Sequence, residues 1–284
     1  MMSTFNFNWF LDNCLPFIYK LRNKVIVIKY GGAAMKDNNL KSQVITDILF
    51  LFSLGIKIVL VHGGGPFIND WLNRLNIEPK FDDGIRITDA QTMEIVEMVL
   101  VGKINKELVS LININNNVGI GLSGKDANLL LASHMFNDSN NLVGTIDSVN
   151  SQVLNFLLDN NYIPVIASVA SSNDLTTYNV NADTAAGAVA QALNAEKLIL
   201  LTDTPGILLD IKDPNSLQKQ LTTDNIHNLC KQNIISEGMI PKVNCCINAL
   251  NNNVKTTHII DGRIEHSLLW ELLTNNRIGS QIVL

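Results

Sequence analysis

Apolar residues fall along this chain in two textures. Short runs rich in Val, Ile and Leu, at residues 25–28, 56–61, 162–167 and 196–201, alternate with longer stretches of a different spacing, such as 40–52, in which apolar positions recur every three or four residues. The short runs read as buried strands, and the stretches at 40–52, 88–111, 151–160, 185–193, 222–232 and 240–251 read as helices. Strand, helix and strand in succession form a right-handed crossover, which brings the ends of neighbouring parallel strands to one sheet edge. Ligands of such sheets bind at that edge. With 284 residues, 46% of them hydrophobic, the chain can bury a large core divided between two lobes that share one sheet.

The expected edge carries glycine and charge. The first strand runs into Lys29-Tyr30-Gly31-Gly32 and the second into His62-Gly63-Gly64-Gly65-Pro66. Glycine lets backbone N–H groups approach a ligand, lysine adds a compact charge, and a helix opening near Pro66 would aim its first N–H groups at an anion. Either loop alone is equally well an ordinary turn. Two loops ending neighbouring strands favour an anionic ligand such as phosphate. His62 fits a structural role better than a catalytic one.

Arg86 lies just ahead of a helix cap at Thr88 or Asp89. It could fork onto a substrate carboxylate, or pair with Asp82 or Asp83 at the surface. Helix capping explains one of Asn179, Asn181 and Asp183 but not all three, and the Ala- and Gly-rich helix behind them must pack closely against something. Lys242 is expected in the first turn of a helix, where the dipole disfavours a cation unless an anion binds nearby. Residues 119–126 match G-x-G-x-x-G and also a P-loop, except that Asp126 stands in place of its final hydroxyl residue. Both patterns need a following helix. Because 127–133 reads as a strand, a structural hairpin is expected and both matches are accidental.

Composition narrows the partners. A net charge of -5 and a pI near 5.5 give no general attraction to nucleic acid or to an anionic membrane surface, and no stretch is long and apolar enough to span a bilayer. Cys14, Cys230, Cys245 and Cys246 form no C-x-x-C pair, so they read as buried thiols in a reducing compartment rather than as a zinc site. Abundant Asn and Ile point to AT-rich coding, and the first 20 residues have neither the pattern of a secretory signal nor that of a transit peptide. The expected location is the chloroplast stroma if the chain is plastid-encoded, and otherwise a bacterial cytoplasm. Ahead of the first strand, Phe7, Phe10, Leu11, Cys14, Leu15, Ile18 and Leu21 recur at helical spacing, with Pro16 expected to bend that helix. This stripe either folds back onto its own core or pairs with another subunit.

In their order and spacing, Lys29-Tyr-Gly-Gly, His62-Gly-Gly-Gly-Pro66, Gly84-Ile-Arg86, Gly124-Lys-Asp126, Asn179-Val-Asn-Ala-Asp183, Thr202-Asp-Thr-Pro-Gly206 and Gly238-Met-Ile-Pro-Lys242 resemble the amino acid kinase family. The resemblance covers nearly the whole chain and is strongest to the branch that phosphorylates N-acetyl-L-glutamate with ATP; the N-terminal stripe and the run from His258 to Trp270 look like its arginine-sensitive members. It implies a three-layer α/β sandwich around a mostly parallel sheet. The implied division is an N-terminal amphipathic oligomerisation helix (1–23), an acceptor lobe (24–194) and an ATP lobe (195–284).

By the same resemblance, Lys29 and Lys242 would stabilise the phosphoryl group in transfer, with Asp183 orienting both. Gly64, Gly65, Arg86 and Asn179 would hold N-acetyl-L-glutamate. Gly31, Gly32, Thr202, Asp203, Gly206 and Met239 would lie near ATP, with Mg²⁺ carried by the nucleotide rather than by a protein site. The implied assembly is a homohexamer, a trimer of dimers interlaced through N-terminal helices, with arginine bound between that helix and the C-terminal lobe. Phe17, Lys197, His266, Glu271 and Gly279 are the implied effector contacts. Phe17 stands where some members carry Tyr, and Thr145 where an acidic residue is usual. Some photosynthetic relatives bind a PII-type nitrogen-signalling protein.

The chemistry agrees with the residues. A γ-carboxylate with a pKa of about 4.3 is already ionised at neutral pH, so the acceptor needs no general base, and charge repulsion is the obstacle that lysines would relieve. The rival readings are an aspartate, glutamate or carbamate kinase on the same fold, and a non-catalytic arginine or nucleotide sensor. Intact lysines and Asp183 argue against the sensor. A Rossmann dehydrogenase rests on 119–124 alone.

Overall fold

The computed structural model describes residues 12–82, 84–235 and 237–284. Eight strands, numbered in chain order, form the central sheet. They are β1 (Val25–Tyr30), β2 (Lys57–His62), β3 (Gly119–Ser123), β4 (Ile163–Ala167), β5 (Lys197–Thr202), β6 (Gln220–Thr222), β7 (Thr256–Asp261) and β8 (Ser280–Val283). Across the sheet the order is β6-β8-β7-β5-β1-β2-β4-β3. All pairs are parallel except β7 with β8, so only the β8 and β6 edge runs against the rest.

The continuous apolar runs follow from burial on both faces. In β1, Ile26 and Ile28 pack into one cluster and Val27 into the other; β2 and β5 divide their side chains the same way. The first cluster draws on helices Asn38–Ser53, Ala90–Glu97, Lys106–Asn113 and Ser267–Leu273, and the second on Ser151–Asp159, Ala182–Ala192 and Ile240–Asn251. Helices therefore cover both faces, and the sandwich has three layers. Each fully buried Ile or Leu contributes about 1.5–3 kcal/mol, which favours these apolar runs in the strand interiors.

A second sheet of four strands, Thr177–Asn179, Val169–Ser171, Leu130–His134 and Gly144–Val149, stands beside the C-terminal ends of β2 and β4. It corrects the expected hairpin at 119–133. β3 pairs in parallel with β4 in the main sheet, whereas Leu130–His134 pairs antiparallel with Gly144–Val149 in the other. Gly124 makes this crossing possible. Its N–H donates to Val169 O at 2.7 Å, and a Cβ there would sit 2.3 Å from that oxygen and 3.0 Å from Ala170 Cα. Asp126 accepts from the N–H and hydroxyl of Ser123, and a single 3₁₀ turn follows at Asp126–Asn128, so neither phosphate-loop pattern is met.

At the N-terminal end, Phe7, Phe10 and Leu11 of the apolar stripe lie outside the described residues. The remainder forms helix Leu15–Leu21, and Phe17, Ile18 and Leu21 fold back onto the chain's own core. Asp12 and Asn13 are helical and Cys14 interrupts, so the helix is broken just ahead of Pro16, as expected, and Pro16 sits in the first turn of the resumed helix, where its missing N–H is no loss. Among the described residues no helix is long and apolar enough to cross a membrane.

Because Val169 O and Ala170 Cα are backbone atoms and Leu130 Cβ is fixed to its own backbone, none can rotate away, and Gly124→Ala is expected to lower the unfolding free energy by about 1–3 kcal/mol. Denaturant unfolding checks this, and a wild-type midpoint would contradict it.

Candidate active site

Lys29 is the penultimate residue of β1, with its side chain curled over the next turn. A Cβ at Gly31 would stand 2.9 Å from Lys29 Nζ, so glycine there makes room for the amino group. That group meets Asp183 Oδ1 at 2.9 Å. Asp183 is the second residue of helix Ala182–Ala192, whose N-cap Asn181 accepts from the N–H groups of Asp183 and Thr184. Lys242 comes from the first turn of helix Ile240–Asn251 and donates to Asp183 Oδ2, also at 2.9 Å.

The small residues of the first helix set this distance. A Cβ at Gly187 would lie 2.8 Å from Cys245 Sγ, and that thiol donates to Asp183 O at 3.0 Å. Burial alone would push the Asp183 carboxyl up, but the two lysines overcome it and hold the group down at about 2. The lysine in the unfavourable helix turn is thus paired with an anion, as its position required.

These groups open onto a cavity of about 280 Å³, whose wall also carries Gly31, Gly32, Gly64, Gly65, Arg86 and Asn179. The glycine loop after β2 turns its carbonyls away. Gly64 O accepts from the N–H groups of Phe67 and Ile68, and Gly65 O accepts from Arg86 Nη2. Among the described residues the N–H groups of Gly64 and Gly65 have no partner. Helix Gly65–Arg74 opens there without a side-chain cap, so its positive end faces the cavity.

Arg86 turns inward. Its Nη2 donates to Asn69 Oδ1 and Gly65 O, its plane lies over the Phe81 ring at 4.7 Å, and its Nη1 is buried with no partner among the described residues. Surface pairing with Asp82 is therefore not the arrangement, and Asp83 lies outside the described residues. Burial lowers the Arg86 pKa, yet a guanidinium stays charged. Asn179 donates to Thr88 Oγ1 at 3.0 Å on the same wall, and Asp89 is the helix cap ahead of Thr92.

Of the expected nucleotide residues, Gly31 and Gly32 line this cavity, whereas Thr202, Asp203, Gly206 and Met239 lie outside it. Thr202 ends β5, its hydroxyl donates to Asp203 Oδ1, and a Cβ on Gly32 would come within 3.9 Å of Asp203 Cγ. Gly206 has a φ of +136°, and a Cβ there would meet Ser280 Oγ at 2.6 Å, so the fold itself requires this glycine. Met239 closes the 3₁₀ turn Glu237–Met239 that leads into the Lys242 helix.

The amino acid kinase family profile matches residues 24–261. The chain belongs to the amino acid kinase family. It is 56% identical over 285 residues to an acetylglutamate kinase of Gracilaria tenuistipitata var. liui, covering 100% of both chains. A second acetylglutamate kinase, from Synechocystis sp., is 52% identical over 273 residues, with 96% of this chain and 92% of that one covered. Among solved structures, an N-acetylglutamate synthase from Neisseria gonorrhoeae complexed with coenzyme A and N-acetyl-glutamate superposes with a TM-score of 0.86 at 25% identity. The match covers 98% of this chain and 64% of that longer protein.

This amino acid kinase carries a second buried polar cluster, away from the cavity. Glu271 accepts from His258 Nδ1 at 2.7 Å and from the N–H groups of Ile278 and Gly279, while Lys197 Nζ lies 3.2 Å from His258 Nε2. Burial pushes Lys197 down to about 8 and His258 down to about 4. The structure thus brings Lys197, Glu271 and Gly279 together. His266 instead pairs with Asp47 at 2.7 Å, and Phe17 lies in the helix that folds back onto the core. His258 opens the run that resembles the arginine-sensitive members but was not among the expected effector contacts, because one histidine inside the apolar strand β7 carried no signal of its partner thirteen residues on.

The depressed Asp183 pKa fixes the sign of a stability effect. Its contribution is fully present above the unfolded carboxyl value of about 4 and is lost as pH falls through about 2. Wild type and Asp183→Asn are therefore expected to differ most in unfolding free energy above about pH 5 and to converge in acid. A gap independent of pH would contradict the pairing.

Proposed function

We propose that this protein transfers the γ-phosphoryl group of ATP to the γ-carboxylate of N-acetyl-L-glutamate. The reading is carried chiefly by two lysines from distant segments that meet on Asp183 at a cavity lined with free glycine N–H groups and Arg86. It is supported by the full-length acetylglutamate kinase relatives.

In this reading residues 24–194 hold the acceptor and 195–284 the nucleotide. Arg86, through the unpartnered Nη1, binds the α-carboxylate together with Asn179, and the Gly64 and Gly65 N–H groups face the reacting end. An ionised γ-carboxylate oxygen attacks the γ-phosphorus, the bond to the β-bridging oxygen breaks, and ADP leaves with that electron pair. The product is an acyl phosphate, and no proton need move. Lys29 and Lys242 neutralise the equatorial oxygens as they move between donor and acceptor, with Asp183 holding both ammonium groups in place.

Thr202, Asp203, Gly206 and Met239, with Gly31 and Gly32, border the nucleotide. Mg²⁺ fits here only as an ion carried on the phosphates, because both oxygens of the cavity carboxylate Asp183 are occupied by lysines. It would supply charge neutralisation on the nucleotide oxygens.

For regulation we propose that arginine binds beside the Glu271 cluster, with Lys197, Gly279, Phe17 and His266 around it, in a hexameric trimer of dimers joined through the N-terminal helices. A PII-type protein is a candidate partner. The sources of the relatives are consistent with the chloroplast stroma for a plastid-encoded chain, or with a bacterial cytoplasm.

Lys29→Ala and Lys242→Ala are each expected to lower kcat on the order of 10²-fold or more, with a far smaller change in KM for the acceptor. ADP release measured with N-acetylglutamate, glutamate, aspartate and carbamate checks both the lysines and the acceptor. Near-normal turnover in either variant, or preference for another acceptor, would overturn the assignment. Millimolar arginine is expected to raise the apparent KM for N-acetylglutamate, and a chain starting at Lys24 is expected to form dimers that ignore it. A truncated chain that remained hexameric and inhibited would refute the regulatory proposal.

A further inference from the structure

Behind the glycine loop runs a polar connection that reaches it through His62. Asn105 is the last residue of a π-helical segment, Met98–Asn105, and is fully buried, as is His62. The Asn105 side-chain nitrogen lies 2.8 Å from Val165 O, 3.3 Å from Leu122 O and 3.1 Å from His62 Nε2. Two of those three neighbours are carbonyl oxygens, which can only accept. The atom facing them is therefore the NH₂ end of the amide, and its oxygen accepts from Lys106 Nζ on the other side.

With an NH₂ beside it, Nε2 is the acceptor, and the proton of the neutral ring sits on Nδ1. Nδ1 in turn donates to Gly63 O at 3.0 Å. Burial of the imidazole is the main cause that pushes its pKa down to about 4, so the ring stays neutral near pH 7. The Gly63–Gly64 peptide is trans, so its C=O and N–H point in opposite directions. Tying Gly63 O to the ring therefore sets where the Gly64 N–H points. The same π-helical segment holds the loop sterically, since a Cβ on Gly64 would lie 2.3 Å from Ile104 Cδ1 and 2.7 Å from Leu100 Cδ2.

We infer that Asn105 is a positioning residue for the acceptor: by fixing the His62 tautomer it holds the Gly63 carbonyl away from the cavity and aims the Gly64 N–H into it. Neither side chain touches the substrate. His62 acts on the loop, and Asn105 acts on His62. The inference rests on the acceptor assignment above and adds to it a determinant of acceptor affinity that lies behind the cavity wall.

The test combines ¹⁵N spectra of histidine-labelled full-length protein, with the His62 signals assigned by their loss in His62→Phe, and steady-state kinetics of Asn105→Asp and Asn105→Leu. Wild-type His62 is expected to be neutral and protonated at Nδ1 near pH 7. In Asn105→Asp the carboxylate can only accept, so Nε2 gains a proton, either as the other tautomer or as an imidazolium. The KM for N-acetylglutamate is expected to rise about tenfold in both variants while that for ATP moves less than about twofold.

A wild-type ring protonated at Nε2 would overturn the inference. So would a folded Asn105→Asp with an altered ring and an unmoved acceptor KM. Should Asn105→Leu fail to fold, the wild-type tautomer and the Asp variant decide the matter. Wild-type protein inactive on N-acetylglutamate would count against the functional reading instead, which the turnover assay separates from an unmoved KM.

Discussion

One carboxylate shared by two ammonium groups is the interaction on which the rest of this structure depends. Asp183 is buried, and a buried carboxylate without partners would be neutral rather than charged. Lys29 from β1 and Lys242 from the far half of the chain keep it ionised, and removing one member of such a set costs about 3–5 kcal/mol because a charge is left unpaired. The set also closes with one positive charge in excess, and Arg86 adds a second. The centre is charge-paired as it stands, although Asp183 Oδ1 meets Lys29 as an ion pair and accepts no hydrogen bond among the described residues, and it still attracts a polyanion. That combination suits transfer of a phosphoryl group between two anions, where the protein's task is positioning and neutralisation, not proton transfer.

Everything around this centre serves to bring backbone close to it. Gly31 makes room for the Lys29 amino group, Gly187 for the Cys245 thiol, and Gly64 for Leu100 and Ile104. The loop after β2 spends each of its carbonyls on the protein, on His62, on the first helical turn or on Arg86, and so presents donors alone to the cavity. A loop of this kind needs support from behind. The π-helical segment supplies it with two aliphatic side chains and one amide.

Much of this was legible in the sequence because it follows local rules. Runs such as residues 56–61 can be buried on both faces only in a covered parallel sheet, and the Ala-rich stretch after Asp183 demanded a close neighbour. Lys242 in a helix's first turn signalled an anion. Other features depended on contacts that no local pattern encodes. The strand at residues 119–123 pairs with β4, more than forty residues away, so a hairpin with the nearer strand was the natural but incorrect reading. Asn105 lies among other polar residues, Lys103, Lys106 and Glu107, so nothing in the local pattern singles it out, and its role exists only through His62, Leu122 and Val165, which reach it from three different strands. His258 was hidden for the same reason. The two fully buried histidines, at 62 and 258, are held neutral by burial, a property that spacing does not reveal.

The most direct test of the central claim is a structure of the protein with MgADP, N-acetyl-L-glutamate and planar aluminium fluoride, which mimics the phosphoryl group in flight. The account predicts Nζ of both Lys29 and Lys242 within about 3 Å of the fluoride ligands, from opposite sides, with Asp183 still in contact with each. A complex in which the aluminium fluoride is bound while either lysine remains out of its reach would contradict it.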